Sequence, residues 1–217
     1  MSGQIKVLAF DLDNTIFLEI LFFKKILMNC ADKIDYKVDD IDLFDFIYKS
    51  NSTDLFGDFL KKINKYSKYN QNILFSEYKF GKFQIKIEDS SLNVLIKCRN
   101  RFKTCILTNG VLEAQKNKVK SLCIGELFDQ ILYARANGIK NEKPNPRSFN
   151  MICDHFNCKP SEVMFIGDHP VNDILGAKKM GMTTVWTSEF IALENIPSHA
   201  DYHIKYLHEI TNLIGIK

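Results

Sequence analysis

The stretch Lys6-Val7-Leu8-Ala9-Phe10-Asp11-Leu12-Asp13-Asn14-Thr15 passes from an apolar run into two aspartates, an asparagine and a threonine. A short apolar run cut off by turn-forming polar residues has the length and boundaries of a buried strand. Working outward, the same pattern recurs at residues 104–107, ending in Thr108, at 163–166, ending in Gly167-Asp168, and at 184–186. Helical periodicity fills the gaps. Leu92, Leu95, Ile96 and Arg99 follow a cap candidate at Ser90 or Ser91, and Phe149, Ile152, Cys153 and Phe156 follow Pro144 and Pro146. Ile174, Leu175 and Ala177 lead to Gly181, a helix-stop signal. Residues 202–205, then Leu207, Ile210, Leu213 and Ile214, read as a last strand and a closing helix, and Trp186 reads as core. Strands alternating with helices predict an α/β fold, a doubly wound parallel sheet covered on both faces.

Residues 16–88 break the rhythm. Leu55, Phe56, Phe59, Leu60 and Ile63 share a helical face with Ser52 or Thr53 placed to cap it, Leu43, Phe44, Ile47 and Tyr48 share another, and 16–28 also reads as helical. The expected organisation is an α/β catalytic core from residues 1–15 and 89–217, with 16–88 inserted as an α-helical cap.

The chain has 217 residues, which suits one large domain or one domain with an insertion. Its 46% hydrophobic and 25% charged residues exclude a wholly disordered or fibrous chain. A net charge of +3 is no footprint for nucleic acid. Asp11 and Asp13 interrupt the first apolar run, and Glu19, Lys24 and Lys25 interrupt the longest, so neither a signal peptide nor a membrane span is expected. Cys30, Cys98, Cys105, Cys123, Cys153 and Cys158 contain no C-x-x-C pair and read as reduced core thiols of a cytoplasmic protein.

In α/β sheets ligands bind beyond the carboxyl ends of the strands. The residues expected there are Asp11 to Thr15, Thr108-Asn109-Gly110, Lys143-Pro144-Asn145-Pro146 and Gly167-Asp168-His169-Pro170-Val171-Asn172-Asp173. Each alone has an ordinary explanation as a strand exit, helix entry or solvated loop. Together they gather four carboxylates, hydroxyls and a lysine. Clustered carboxylates invite a hard divalent cation such as Mg²⁺. Thr108 with the amides of Asn109 and Gly110 at a helix entry suits a phosphate, and Lys143 supplies a point charge. One carboxylate can attack covalently while another moves the proton.

These segments, with the run Gly176-Ala177-Lys178-Lys179-Met180-Gly181-Met182-Thr183-Thr184-Val185-Trp186, resemble the haloacid dehalogenase-like hydrolase superfamily, in particular its phosphatases with a helical cap after the first motif. The motifs frame nearly the whole chain; the cap matches only loosely. The resemblance implies a Rossmann-like core and an Mg²⁺-dependent phosphatase of a small phosphorylated metabolite: a nucleotide, flavin or sugar phosphate, or a phosphoglycolate-like acid. It assigns Asp11 as nucleophile, Asp13 as acid and then base, and Thr108 and Lys143 as phosphoryl-holding groups. Asp11, the backbone carbonyl of Asp13, Asp168 and Asp173 are the implied metal ligands, Asp173 directly or through water. Asn14 stands where the family commonly has glycine, and asparagine tolerates unusual backbone angles. Asp13 itself favours phosphate chemistry over dehalogenation. A phosphomutase of the same superfamily and a phospho-acceptor signalling module are the alternatives.

Between residues 61 and 86 lysines alternate with Tyr66, Tyr69, Phe75, Tyr78, Phe80 and Phe83. Such a run can bind single-stranded nucleic acid, but an amphipathic cap with a small aromatic core is the favoured reading. Tyr66, Tyr69 and Tyr78 are candidates for touching the leaving group. His169 is expected to shape its loop, not bind metal, and His155, His199, His203 and His208 show no ligand spacing.

Overall fold

The computed structural model describes residues 4–37, 46, 54–190 and 199–215. Six parallel strands, β1 (Val7–Phe10), β2 (Lys103–Thr108), β3 (Gln130–Tyr133), β4 (Val163–Gly167), β5 (Thr183–Thr187) and β6 (Tyr202–Ile204), form one sheet in the order β3-β2-β1-β4-β5-β6. The doubly wound expectation holds. The strand order reverses at β1, so the crevice that this topology opens lies beyond the ends of β1, β2 and β4.

Alternation along the strands builds two apolar layers. Leu8, Phe10, Ile106, Met164, Ile166 and Val185 face one, and Val7, Ala9, Cys105, Leu107, Val163 and Phe165 face the other. The first continues into the helices of the 16–88 segment: α1 (Ile20–Cys30), α2 (Leu55–Lys62) and α3 (Lys68–Phe80). Their Phe22, Ile26, Phe56, Phe59, Leu60 and Leu74 are buried in the same cluster as the strand residues, with α4 (Asp89–Arg99) beside them. Within residues 61–86 the amphipathic reading holds for Phe75, Tyr78 and Phe83, which pack on the buried cluster, whereas Tyr66, Tyr69 and Phe80 are exposed; Phe23 stacks on Tyr78, and Phe56 sits edge-on to both Phe75 and Tyr78. Helix α5 (Leu112–Ser121) lies directly under it, because Asn117 Nδ2 donates to the Tyr78 carbonyl (3.2 Å) and the Ile85 N–H to the Ser121 carbonyl (2.9 Å). The second layer is covered by α6 (Pro146–Phe156) and α7 (Gly176–Lys179) through Phe149, Ile152 and Ala177. The terminal strand and helix are present as β6 and α8 (Ile210–Leu213), and Trp186 is buried.

Several local expectations are corrected. The cap of α2 is Asp54, whose carboxylate accepts the Gly57 N–H (3.1 Å); Ser52, Thr53 and the 43–48 helical face, apart from Phe46, lie outside the described residues. Helix α4 begins at Asp89, ahead of both serines, and Ser91 is buried inside it. Strand β3 is not among the strands expected from the sequence: Ile131-Leu132-Tyr133-Ala134 is an apolar run, but the strand sits at the sheet edge, is mostly half-buried and lends no residue to the strand-end cavity. Cys123 is exposed, so it is not a core thiol, whereas Cys30, Cys98 and Cys105 are buried; all six are free. Among the described residues no helix is long and apolar enough to cross a membrane.

Candidate active site

Asp11 follows the last residue of β1, and its N–H continues the ladder to the Ile166 carbonyl (2.8 Å). The chain must then turn at once to leave the sheet. Asn14 does this in the left-handed region (φ 55°), a conformation that asparagine tolerates, and its Oδ1 accepts the Glu19 N–H (3.1 Å).

Beyond the strand ends lies a cavity of about 190 Å³ lined by Asp11, Asp13, Asn14, Glu19, Thr108, Asn109, Lys143, Asp168, His169, Asn172 and Asp173. The sequence-derived site residues therefore converge, with one exception. The Gly110 N–H, expected at the anion site, donates instead to Glu142 Oε1 (2.5 Å), a carboxylate also held by the Arg135 guanidinium (2.8 and 3.0 Å). Gly110 does not line the cavity.

Lys143 is buried and its ammonium bonds Asp11 Oδ1 and Asp173 Oδ1, the latter at 2.7 Å, with the Phe165 ring 5.4 Å away. Its backbone is fixed by a reciprocal pair: Asn109 Nδ2 donates to the Lys143 carbonyl (2.9 Å) and the Lys143 N–H to Asn109 Oδ1 (2.8 Å). The Asn109 side chain is thus a clamp on the lysine loop. Asp173 Oδ2 accepts the His169 N–H (3.0 Å), and a Cβ on Gly167 would fall 2.6 Å from Asp173 side-chain atoms, so glycine leaves the space that this carboxylate occupies. His169 shapes its loop as expected: Nδ1 accepts the N–H groups of Val171 and Asn172 (3.1 Å each). Trp186 Nε1 donates to the Asp168 carbonyl (2.6 Å).

Burial dominates the electrostatics. It pushes the Asp11 carboxyl up to about 7, helped by Asp173 and Asp13 and opposed by Lys143. Burial, then Asp173 and Asp11, hold Asp168 well above the usual carboxylate range. For Lys143 burial works downward, but Asp11 and Asp173 outweigh it and keep the ammonium charged. One carboxylate oxygen from each of Asp11, Asp168 and Asp173 lies within 4.8 Å of the others. These donors are all hard oxygens, and the nearby His169 ring nitrogen Nδ1 is turned to backbone, so the set fits a hard divalent cation.

Sequence reasoning missed Gln115, Lys118 and Glu19. Lys118 is fully buried on α5 and bonds Asp13 Oδ1 (2.7 Å) and Glu19 Oε1 (2.5 Å), while Gln115 Nε2 donates to Asp13 Oδ2 (3.0 Å). Asp13 and Glu19 outweigh burial in keeping Lys118 charged, and burial, then Asp13, raise the Glu19 carboxyl. The one signal available was the spacing of Gln115 and Lys118, three apart and so on one helical face. Tyr66 and Tyr69 are exposed and Tyr78 packs among aromatics; none of the three lines the cavity, which removes them as leaving-group contacts in this conformation.

Comparisons with known proteins agree with this geometry. Glyceraldehyde 3-phosphate phosphatase of Pyrococcus abyssi is 28% identical over 199 residues, covering 84% of this chain and 81% of that protein. The enzyme of the same description from Pyrococcus furiosus is 32% identical over 116 residues, 52% of this chain, and the match spans about half (48%) of the relative's length. The HAD-hydrolase YfnB of Bacillus subtilis, solved bound to magnesium, superposes with a TM-score of 0.81 at 19% identity, covering 99% of this chain and 100% of that one. The family described as haloacid dehalogenase-like hydrolase matches residues 8–187, a span that holds every strand-end residue of the cavity, and the chain belongs to that family.

Proposed function

We propose that the protein is a Mg²⁺-dependent phosphatase of a small phosphorylated metabolite, working through an aspartyl-phosphate on Asp11. The observation that carries this reading is the convergence of Asp11, Asp13, Thr108 and Lys143 with the Asp11–Asp168–Asp173 oxygen cluster in one cavity. The activities of the Pyrococcus relatives support a phosphomonoester as substrate, and a cavity of about 190 Å³ favours a small one over a macromolecule. Six free cysteines support a cytoplasmic setting.

In this mechanism an Asp11 carboxylate oxygen attacks phosphorus, the bond to the leaving oxygen breaks, and Asp13 gives that oxygen its proton. Asp13, now a carboxylate, takes a proton from water as the water attacks the aspartyl-phosphate, which releases inorganic phosphate and restores Asp11. Thr108 and the Lys143 ammonium hold the phosphoryl oxygens. Asp11, Asp168 and Asp173, with the Asp13 carbonyl, would hold Mg²⁺, which neutralises phosphoryl charge when bound. Clamping by Asn109 keeps Lys143 aimed at the nucleophile before substrate arrives.

Phosphate release from a panel of phosphomonoesters, with Mg²⁺ or with EDTA, tests the reading. Release should require the metal and fall at least ~10⁴-fold in Asp11→Asn, the scale on which covalent nucleophiles matter. Wild-type turnover by that variant would remove Asp11 from the mechanism.

A further inference from the structure

We infer that Gln115 and Lys118 are positioning residues for Asp13, fixing the plane of its carboxyl group so that it faces the leaving oxygen. The inference rests on Asp13 being the proton donor proposed above.

The geometry carries it. Lys118 bonds one Asp13 oxygen and Gln115 the other (2.7 and 3.0 Å), and two donors on two oxygens determine both the position and the rotation of a carboxyl group. A carboxylate oxygen has a second lone pair, so both atoms remain able to carry or receive a proton. Neither donor is free to wander. Lys118 is 0% exposed, and its ammonium is tied also to Glu19 (2.5 Å) and lies against the rings of Phe22 (5.5 Å) and Tyr78 (5.9 Å). Gln115 is 3% exposed and packs so closely on the preceding loop that a Cβ on Gly110 would come within 2.6 Å of its Nε2.

Both donors project from α5, the helix that directly follows Thr108-Asn109-Gly110. One rigid element therefore sets the distance between the group that holds the phosphoryl oxygen and the carboxyl group that serves the leaving oxygen. Glu19, just ahead of α1, links the same ammonium to the helical segment that covers α5. A lysine serving only as core filler would need neither a second donor on the other Asp13 oxygen nor a place beside the cavity.

The experiment compares kcat/KM, which reports phosphoryl transfer to Asp11, for p-nitrophenyl phosphate and for the best alkyl phosphate of the panel. Nitrophenolate leaves with little need of a proton, whereas an alkoxide needs one. Lys118→Met should lower the alkyl value about 100-fold and Gln115→Leu about 10-fold, each with a several-fold smaller loss on the aryl ester, because a displaced general acid forfeits part of its contribution. Asp13→Asn is measured alongside and should show the largest alkyl-over-aryl loss.

If Asp13→Asn loses equally on both esters, the proton-donor reading fails and this inference with it. If Asp13→Asn discriminates but Gln115→Leu and folded Lys118→Met do not, Asp13 is the donor and the positioning role is wrong. Should Lys118→Met not fold, as judged by circular dichroism, Gln115→Leu decides, since it leaves the Lys118 ion pairs in place.

Discussion

Among the described residues two lysines are buried, each between two carboxylates and against aromatic rings, and they differ in how they got there. Lys143 lies in the loop before α6, facing Asp11, Asp173 and the Phe165 ring. Lys118 lies within α5, facing Asp13, Glu19 and the rings of Phe22 and Tyr78. The first is held from outside its own side chain, by the Asn109 clamp on its backbone, and bonds the proposed nucleophile. The second is held by the packing of the 16–88 helices on α5 and bonds the proposed acid. On the proposed mechanism, two ammonium groups with similar surroundings would divide one reaction, one serving the attacking side and the other the leaving side.

The sharpest way to break this comparison is to remove the two charges separately. Lys143→Met should lower turnover by about 10³-fold or more, through lost electrostatic stabilisation at the phosphoryl group. It should also destabilise the metal-free protein by about 3–5 kcal/mol, because Asp11 and Asp173 lose their buried counter-charge. Denaturant unfolding beside the kinetic assay checks both; an equal effect of Lys143→Met and Lys118→Met on p-nitrophenyl phosphate would erase the division of roles.

Phe22→Ala tests the other lysine through its neighbours. Removing this fully buried ring should cost about 3–5 kcal/mol in chemical denaturation. It should also weaken the alkyl-ester reaction more than the aryl one, whereas a cavity made at Phe149, which packs on the Phe165 ring beside Lys143 on the opposite face of the sheet, should show no alkyl-over-aryl preference.

The carboxylate cluster supplies a pH test with a definite sign. Asp11 is raised to about 7 when folded, against about 4 for an unfolded aspartate. Between those values the unfolded chain releases a proton that the folded one keeps, so stability of the metal-free protein falls as pH rises from about 4 to 7. Asp168, raised in the same direction, adds to the slope. On the proposed function Mg²⁺ would bind the ionised cluster and should then restore about 2.7 kcal/mol at a concentration 100 times its dissociation constant. Thermal melts at pH 5 and pH 8, with and without Mg²⁺, should show the larger metal effect at pH 8; a metal effect that is the same at both would detach the cation from these carboxylates.

The smallest expected effect is Asn109→Ala, which removes two hydrogen bonds to the Lys143 backbone. A cost of about 1–3 kcal/mol is expected, with a kcat loss and no alkyl-over-aryl preference, because the clamp acts on the attacking side.

The sheet and the strand-end residues were legible because their signals are local. Asp11 to Thr15, Thr108, Lys143 and Asp168 to Asp173 each stand where an apolar run stops or a proline-rich loop begins, and a parallel sheet brings such ends together whatever lies between them. The helices Ile20–Cys30 and Leu55–Lys62 were equally readable from periodicity. Strand β3 was not, because Ile131-Leu132-Tyr133-Ala134 is a short edge run with no site-forming residues at its end to set it apart. The cap of α2 was ambiguous within a residue or two because Ser52, Thr53 and Asp54 are all competent caps, and only the backbone selects Asp54. Gly110 fits an anion site by residue type, since glycine amides commonly serve there; the Glu142 carboxylate that takes its N–H comes from a loop 32 residues away.

The sequence by itself determined the parallel α/β sheet, the ends of β1, β2 and β4 and the carboxylates and lysine that those ends and the 143 loop bring together, since these follow from patterns of neighbouring residues. Only the tertiary structure decided that Lys118 is interior. A lysine on an amphipathic helix reads as solvated. Its burial depends on α1 and α3 closing over α5, and its charge survives there because Asp13 and Glu19, distant in sequence, are delivered to the same point in space.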